Sequence, residues 1–165
     1  MVDMTAMPTA TKIVEATLSD LDDWVRMALK LWPAEEDSPE RAEKEMRAEL
    51  SGILQSAKDT ALIARDDQRR AIAFVNLSIC YEYVPGAKRF PVAYIEGIYV
   101  ANIARKTGVG RALVAEAELW AKAKGCTQLA SDVMIENTES CQFHTRVGFQ
   151  EVERVVFFIK DVEQL

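Results

Sequence analysis

The apolar positions in the first third of the chain follow a helical period. Between Ser19 and Pro33, apolar side chains recur every three or four positions, which is typical of one face of an amphipathic helix. Ser19, with Asp22 three residues later, forms a capping-box-like start, and Pro33 ends the segment. A second helix is predicted from the N-cap residue Ser38 to about Gln55, with a proline at its first position.

The middle of the chain changes to β-type patterning. Residues 60–65, 71–79 and 92–100 are short runs rich in β-branched and aromatic side chains. Three strands in succession predict an antiparallel meander. A further short strand over residues 12–16 is expected to precede the two helices.

The last third of the chain alternates between helix and strand. A helix is predicted over residues 108–124, a strand over 126–133, a helix over 137–147 and a final β segment over 149–160. The order is βααβββαβαβ. A strand–helix–strand crossover at residues 92–133 implies one parallel pair in a mostly antiparallel sheet, so an α/β (α+β) fold with helices flanking a mixed sheet is expected.

Composition narrows the class of protein. The chain has 165 residues, of which 49% are hydrophobic and 28% charged, as in an ordinary soluble globular protein. No linker or repeat interrupts it, so residues 1–165 are predicted to form a single domain behind a frayed segment at residues 1–11. With 26 acidic and 20 basic side chains, the net charge is −6, which is the wrong sign for a nucleic-acid-binding protein and favours a cationic partner.

The cysteines and the hydropathy pattern bear on location. Cys80, Cys126 and Cys141 are an odd number with no C-x-x-C pair, so neither a disulfide framework nor a zinc cluster is indicated. Residues 1–11 contain no apolar run of signal-peptide length, and no stretch is long enough to span a membrane. A cytoplasmic protein with reduced thiols, no metal and no membrane partner is expected.

The turn that opens the helix at residue 108 carries the sharpest chemical signal. It reads Arg105, Lys106, Thr107, Gly108, Val109, Gly110, Arg111. Glycines allow a ligand to approach the backbone, and the free N–H groups of a first helical turn favour a pyrophosphate. An isolated G-x-G more often only starts a helix, and this one lacks the features of a Walker A loop or a dinucleotide fingerprint.

Three segments together resemble a known family. They are Arg105-x-x-Gly108-x-Gly110 after a strand, Asn137 at the start of the next helix, and His144-x-x-x-Gly148-Phe149 at its end. This arrangement resembles the GNAT superfamily of acetyl-CoA-dependent N-acetyltransferases, and the order of elements agrees over residues 12–160. The resemblance implies a GNAT fold, in which the parallel strand pair splays apart, and acetyl-CoA as the co-substrate.

The resemblance also implies roles for individual residues at the coenzyme site. The backbone amides of the turn at residues 105–111 would hold the pyrophosphate of coenzyme A. The backbone of Ile98 and Val100 would bind the pantetheine arm, and the Val100 N–H would polarise the thioester carbonyl. Asn137 resembles the asparagine that contacts the same arm.

Further motifs resemble one branch of the superfamily, the aminoglycoside 6′-N-acetyltransferases. They are Leu31-Trp32-Pro33, Tyr83-Val84-x-Gly86, Ile95-Glu96-Gly97-Ile98-Tyr99-Val100, Ala130-Ser131-Asp132, Glu136-Asn137-Thr138 and Gly148-Phe149-x-Glu151-x-Glu153-Arg154-Val155. None is specific alone, but six occur in the right order. The likeness implies acetylation of the 6′-amino group of an aminoglycoside antibiotic, and thereby resistance.

Three residues are candidates for catalysis. The amine of an aminoglycoside is protonated near pH 7, so the site must hold a cation and remove its proton. Glu96 on a strand and Asp132 at the end of the adjoining one are expected to do this, with water as the relay. His144, the sole histidine, is a candidate proton donor to the leaving thiolate, although a lone histidine on a helix is more often structural. Glu96 as an exposed strand residue and Asp132 as a turn residue are the plain alternatives.

Four more residues are candidates for acceptor binding. Trp32 and Tyr83 lie beside loop signals, where aromatic faces pack against sugar rings and ammonium groups, although both also read as core or edge aromatics. Glu153 is either a cleft wall or a solvent-facing strand residue. Glu136 reads more readily as a charge that stabilises a helix start.

The assembly and two other functions complete the expectations. The segment 149–160 is more apolar than an exposed edge strand should be, and dimers are common in the resembling enzymes, so a homodimer is predicted in which Glu153 completes the partner's cleft. The alternative is that this segment completes the monomer core. The same fold would also suit acetylation of a polyamine, a metabolite amine or a peptide N-terminus, or a non-catalytic acetyl-CoA-binding module.

Overall fold

The computed structural model describes residues 11–34 and 38–162, in which five strands form one sheet. The strands lie in chain order across the sheet: β1 (Lys12–Glu15), β2 (Asp59–Arg65), β3 (Ala71–Cys80), β4 (Val92–Val100) and β5 (Leu129–Ser131). β1 to β4 pair antiparallel, and β4 and β5 pair parallel. The predicted mixed sheet is therefore confirmed. Residues 1–10, most of the segment expected to be frayed, lie outside the described residues.

Four α-helices connect and cover the strands: α1 (Leu21–Leu31), α2 (Pro39–Leu54), α3 (Val109–Ala123) and α4 (Thr138–Arg146). As predicted, Ser38 caps α2, because its hydroxyl accepts a hydrogen bond from the Arg41 N–H at 3.4 Å. Within the described ranges, no helix combines the length and apolarity that crossing a membrane requires.

The start of α1 differs from the prediction. A 3₁₀ turn, Leu18–Asp20, precedes the helix, and the Asp20 carboxylate accepts hydrogen bonds from the N–H and the hydroxyl of Thr17, each at 2.8 Å. The predicted Ser19–Asp22 capping box is wrong because Asp22 faces outward and pairs instead with Arg47 of α2 at 2.7 Å.

The sheet has a hydrophobic core on each face. Helices α1 and α2 bury Trp24 and Leu50 against Ile63 and Phe74, and α3 buries Leu113 against the other face. Each of these side chains is fully buried, which stabilises the fold by about 1.5–3 kcal/mol per large apolar side chain. The two helix layers cover the middle of the sheet, and the sheet can open at the ends of β4 and β5.

Two irregularities on β4 create that opening. The register pairs Asn76 with Gly97 and Leu77 with Ile95, so Glu96 is the extra residue of a β-bulge. On its other edge, β4 pairs with β5 only as far as Ile95 and Ser131. Beyond this rung no pairing joins β4 to the chain that follows β5, which is compatible with the expected splay. The strand predicted over residues 126–133 accordingly shortens to Leu129–Ser131.

The predicted final β segment is wrong for the single chain. Residues 150–162 form neither helix nor strand, and the side chains of Phe157, Phe158 and Ile159 are 91%, 93% and 97% exposed. A strand must pair its backbone groups with a neighbour, and no strand within the described ranges pairs with this segment. The segment therefore does not complete the core of the monomer.

Candidate active site

The centre of β4 presents polar side chains on the face covered by α1. Ala93 and Ile95 pack into the core on the α3 side, so Tyr94 between them points to the α1 side. Glu96 shares this face, since its carboxylate accepts a hydrogen bond from the hydroxyl of Ser78, the residue that pairs with Tyr94 across β3 and β4. Tyr94 and Glu96, two positions apart on β4, therefore share one surface.

Asp132 joins this surface from the end of β5. The hydroxyl of Tyr94 donates a hydrogen bond of 2.7 Å to Asp132 Oδ1. Burial raises the pKa of Tyr94 far above its ordinary value, and the hydrogen bond and negative charge of Asp132 add to this rise, as does the charge of Glu96. Tyr94, protonated at neutral pH like an ordinary tyrosine, thus remains a hydrogen-bond donor beside two carboxylates on one face.

Trp32, the residue that ends α1, forms a wall beside this face. A Cβ atom at Gly97 would lie only 2.3 Å from Trp32 Cζ2, so the indole rests directly on the glycine next to Glu96. The ring is partly exposed, and it lines a groove of ≈ 410 Å³ between α1 and α2. Glu45 and Glu49 of α2 lie on the opposite wall of this groove. An aromatic face and carboxylates suit an extended cationic ligand.

The turn between β4 and α3 has the geometry of an anion site. Gly108, the N-cap of α3, has φ of +92° and no neighbour within 4 Å of where a Cβ would stand, and Lys106 has φ of +63°. No side chain caps the helix, and its first turn carries no acidic residue. The first N–H groups of α3 are thus available to a phosphate, with the charge of Lys106 close by.

The two arginines of the turn are already engaged with neighbouring elements. Arg105 Nε donates to the Val100 carbonyl at 3.1 Å, and its Nη1 lies 3.8 Å from Glu139 at the start of α4. Arg111 Nη2 donates to the Arg146 carbonyl at 3.2 Å. Val109 is buried in the core, so only its backbone can face a ligand. The arginines hold α3, α4 and β4 together around the turn.

The open edge of β4 carries the backbone groups expected to meet the pantetheine arm. The Ala101 N–H donates to the Ile72 carbonyl on the β3 side at 2.8 Å. Because successive N–H groups along a strand alternate in direction, those of Val100 and Ile98 point to the opposite edge, beyond the last residue of β4 that pairs with β5. These groups lie in the gap between the two strands.

Helix α4 places Asn137 and His144 on the far side of this gap. Asn137 Oδ1 caps the helix by accepting from the Ser140 N–H at 3.1 Å, so its amide NH₂ is the end that can meet a ligand. His144 Nδ1 lies 2.8 Å from the Ser140 carbonyl oxygen, and Nε2 lies 3.0 Å from Ser131 Oγ. Both ring nitrogens therefore have protein partners.

The fold, the open glycine turn and the splayed strand pair agree with a comparison against protein families. A sequence model described as the acetyltransferase (GNAT) family matches residues 21–149, which is most of the chain. The chain belongs to the GNAT family of acetyltransferases.

Relatives within the family carry one name. An aminoglycoside N(6′)-acetyltransferase type 1 from Serratia marcescens is 42% identical over 148 residues, which cover 90% of this chain and 97% of that protein. One from Acinetobacter baumannii is 38% identical, over 91% of this chain and 98% of its own length. The resemblance stated from the sequence, to GNAT enzymes and among them to aminoglycoside 6′-N-acetyltransferases, is confirmed.

Solved structures agree with the sequence comparison. A crystal structure of an aminoglycoside antibiotic 6′-N-acetyltransferase from Acinetobacter baumannii superimposes with a TM-score of 0.81 at 38% identity, covering 93% of this chain and 100% of that one. A second acetyltransferase of this type, in complex with the bisubstrate analogue CoA-S-monomethyl-acetylneamine, superimposes with a TM-score of 0.84 at 34% identity and the same coverage. Members of the GNAT family with bound coenzyme A thus share this fold.

Three of the predicted acceptor residues stand apart from the carboxylate pair. Tyr83, in the loop after β3, is 78% exposed, and Glu136 and Glu153 are also exposed. No hydrogen bond among the described residues joins any of them to Glu96 or Asp132. Their proposed roles remain predictions.

Sequence reasoning missed the residues that hold the candidate catalytic groups. Ser78 and Tyr94 donate to the two carboxylates, and Ser131 contacts the histidine. Strand alternation contained part of the signal, because Tyr94 and Glu96 are two positions apart on β4. Which strand lies opposite, and therefore Ser78, required the register of the sheet.

Within residues 11–34 and 38–162, no group of three or more His, Cys, Asp or Glu side chains is placed to hold a metal ion. Cys80, Cys126 and Cys141 are free thiols. Burial raises the pKa of Cys126, with a further contribution from Cys80. The Cys126 thiol therefore ionises less readily than that of an exposed cysteine.

Proposed function

We propose that this protein is an acetyl-CoA-dependent aminoglycoside 6′-N-acetyltransferase whose activity confers antibiotic resistance. The observation that carries the proposal is that Glu96 and Asp132 share the α1 side of the sheet, beside the gap between β4 and β5. The names of the relatives, at 42% and 38% identity, support the same acceptor. An aminoglycoside is a polycation, and the net charge of −6 is complementary to it.

The acceptor would bind across the α1 face of β4. Glu96 and Asp132 would hold the reacting amino group as an ammonium ion, and Trp32 would pack against a sugar ring. The groove beyond Trp32 offers room for a second amino-sugar ring, and Glu49 offers negative charge, whereas Glu45 is paired with Arg41 at 2.8 Å. Tyr83, Glu136 and Glu153 are proposed as outer walls of the acceptor site.

The residues around the turn fit coenzyme A. Acetyl-CoA supplies the acetyl group as a reactive thioester. The first N–H groups of α3, with Lys106, Thr107, Gly108, Val109, Gly110 and the arginines 105 and 111 around them, would bind the pyrophosphate. Asn137 and the outward backbone groups of Ile98 and Val100 would hold the pantetheine arm, and the Val100 N–H would donate to the thioester carbonyl.

Transfer requires a neutral amine. An alkyl ammonium ion has a pKa of about 10, so it must lose a proton before it attacks. Glu96 and Asp132 stabilise the cation and lead the proton away through water, because an ordinary carboxylate is too weak a base to abstract it directly. His144 supplies the proton that the leaving sulfur requires.

The proposal is tested by mass spectrometry of the acetylated product, which avoids interference from the three protein thiols. Tobramycin, kanamycin, spermidine and a short peptide amine are compared at equal concentration with acetyl-CoA. Acetylation of the two aminoglycosides, at the 6′ position, is expected. Preference for spermidine or the peptide supports the alternative acceptors, and coenzyme binding without transfer supports a non-catalytic module.

A homodimer is part of the proposal, with the apolar segment at residues 155–159 covered by a second copy. The exposure of Phe157, Phe158 and Ile159 supports this, because apolar surface of this extent favours association. Glu153, on the same segment, would then reach the partner's acceptor site. Removal of residues 156–165 is expected to give a monomer by sedimentation, and an unchanged dimer would contradict this assembly.

The domain and the compartment follow from the same proposal. The proposed single domain, residues 1–165, is supported by one sheet with both its faces covered. A cytoplasmic location is proposed because acetyl-CoA is a cytoplasmic metabolite and the three cysteines are free thiols.

A further inference from the structure

The hydrogen bonds of His144 determine which ring nitrogen carries the proton. Nδ1 lies 2.8 Å from the carbonyl oxygen of Ser140, one turn earlier in α4. Nδ1 also lies 3.4 Å from the hydroxyl oxygen of Ser140, which can accept or donate. A carbonyl oxygen can only accept, so the shorter contact assigns the proton to Nδ1. In a neutral imidazole, Nε2 is then an unprotonated acceptor.

The partner of Nε2 is the hydroxyl of Ser131, at 3.0 Å. Because Nε2 of the neutral ring offers a lone pair, the Ser131 hydroxyl donates to it. The rings of Phe143 and Phe149 meet the imidazole edge-on, with centroids 5.6 and 5.2 Å away. These apolar neighbours keep the ring in place and strengthen its two hydrogen bonds.

Ser131 stands at the rung where the sheet opens. It is the last residue of β5, and its partner Ile95 is the last residue of β4 to pair with that strand. The bond between Ser131 and Nε2 therefore lies at the edge of the gap between the two strands. A direct proton transfer from Nε2 into the gap would have to displace this hydroxyl.

We propose that Ser131 is a positioning residue that links His144 to the gap between β4 and β5 and passes its proton onward. The inference rests on the proposed function. In the transfer step, the nitrogen of the neutral amine bonds to the carbonyl carbon of the thioester, the carbon–sulfur bond breaks, and the leaving sulfur takes the hydroxyl proton of Ser131. Ser131 Oγ takes the Nε2 proton of doubly protonated His144. The ring ends neutral and protonated at Nδ1, with Ser131 donating to Nε2, which is the arrangement of the structure.

Nitrogen NMR tests the bond directly, because the chain contains a single histidine. The protein is labelled with ¹⁵N, prepared without a histidine tag, and measured at a pH where the imidazole is neutral. We expect a pyrrole-type Nδ1 signal and a pyridine-type Nε2 signal shifted by its hydrogen bond. Ser131→Ala should move Nε2 toward the value of an unbonded pyridine-type nitrogen and leave Nδ1 unchanged.

Two further variants make the spectra decisive. Ser131→Thr keeps the hydroxyl and should restore the Nε2 signal. Thr145→Ala, on α4 with its hydroxyl bonded to the Cys141 carbonyl, is the matched control and should leave the imidazole signals unchanged. The proposed bond would be overturned if the neutral ring proved to be protonated at Nε2. It would also be overturned if the Nε2 signal did not change in Ser131→Ala.

Kinetics test the relay. Ser131→Ala is expected to lower kcat by about 10²-fold, as for loss of a proton donor, while the KM of the aminoglycoside changes less than about twofold. Ser131→Thr should recover most of kcat. The double variant Ser131→Ala with His144→Ala should be no slower than His144→Ala alone, because both residues act on one proton.

The outcomes separate this inference from the proposed function. Losses that multiply in the double variant, or a raised KM with unchanged kcat, overturn the relay while acetylation itself stands. If no amine is acetylated, the proposed function fails and the relay fails with it. The spectra still decide the Ser131–His144 bond, since they require neither substrate.

Discussion

Ser131 and Asp132 are consecutive residues whose side chains contact opposite sides of the sheet. Ser131 Oγ lies 3.0 Å from Nε2 of His144, on the side of α4, and Asp132 Oδ1 lies 2.7 Å from the hydroxyl of Tyr94, on the side of α1. Strand alternation at the end of β5 produces this division. The gap beside β4 is therefore bordered by a carboxylate surface on one face and by the histidine on the other.

Glu96→Gln tests the carboxylate surface. The substitution keeps the shape of the side chain and the partner Ser78 but removes the negative charge that holds the ammonium ion. We expect kcat/KM for tobramycin to fall by about 10²-fold, as for loss of a group that assists proton removal, with the KM of acetyl-CoA unchanged. Steady-state kinetics with each substrate varied in turn measure both values.

Glu116→Gln is the matched control for that variant. Glu116 is exposed on α3, which covers the opposite face of the sheet. The same change in net charge at this position should therefore leave kcat/KM for tobramycin and the KM of acetyl-CoA unchanged. Equal losses in the two variants would show that net charge, rather than the position of Glu96, governs turnover.

Tyr94→Phe tests whether the tyrosine positions Asp132. A tyrosine is ordinarily protonated at neutral pH, and burial, followed by the nearby carboxylates, raises the pKa of Tyr94 further, so its hydroxyl remains a donor. Loss of a hydrogen bond to a charged group costs about 1.5–3 kcal/mol, so kcat/KM for the aminoglycoside should fall about 10- to 100-fold. Tyr99→Phe is the matched control and should have little effect, because Tyr99 lies on the same strand as Tyr94 but stacks its ring on Phe74 of β3. Equal activity of Tyr94→Phe and the native protein would show that Tyr94 does not position Asp132 for the reaction.

The sequence predicts the elements best where the decisive contacts are local. β4 occupies the predicted residues, Val92–Val100, and α2 starts at the predicted cap because Ser38 and Pro39 act within one turn. The glycine turn before α3 is likewise a local feature. For the same reason the order of strands and helices could be predicted through residue 147.

The errors arise where distant contacts decide. The apolar residues after Gly148 predict a strand, but strand formation depends on a pairing neighbour, which the single chain does not provide. The start of α1 is set by Asp20, whose carboxylate reaches Arg65 on β2 as well as Thr17. The sequence proposes Glu96 and Asp132 as candidates, from their strand positions and the family resemblance, and the structure places both on one face of the sheet. Their hydrogen-bond donors, Ser78 and Tyr94, could not be predicted because they depend on the register of the sheet.

Gly97→Ala tests the close approach of Trp32 to β4. A Cβ atom at this position would lie 2.3 and 2.5 Å from two indole carbons, so the ring must move. We expect a loss of about 1–3 kcal/mol in the free energy of unfolding, as for overpacking, together with a raised KM for the aminoglycoside. Denaturant unfolding and steady-state kinetics measure the two effects.

Gly52→Ala is the control for that substitution. Gly52 lies in the last turn of α2, and a Cβ atom there would meet nothing within 4 Å. Alanine should therefore raise the free energy of unfolding by about 0.5–1 kcal/mol, as expected from helix propensity. A Gly97→Ala protein as stable and active as Gly52→Ala would show that Trp32 has no fixed position over the strand.

Asp20→Asn tests the buried ion pair that joins the start of α1 to β2. Burial of Asp20 favours the protonated form, but hydrogen bonds from Arg65 and Thr17 outweigh it, so the pKa of Asp20 lies below its ordinary value. Because the folded pKa is depressed, the stabilisation is complete above about pH 5 and is lost as the pH falls through the folded pKa. At pH 7 we expect the variant to lose about 1–3 kcal/mol in the free energy of unfolding.

The pH dependence separates this ion pair from a packing effect. The difference between native protein and Asp20→Asn should shrink steadily below about pH 4, because the unfolded chain then binds a proton at Asp20 that the folded protein takes up only at lower pH. Asp22→Asn, which breaks the exposed pair with Arg47, should change stability only slightly at any pH, since solvent screens that pair. Denaturant unfolding between pH 3 and pH 7, about 1 pH unit apart, measures both. A loss for Asp20→Asn that stays constant down to pH 3 would mean that side-chain shape, rather than charge, stabilises this joint.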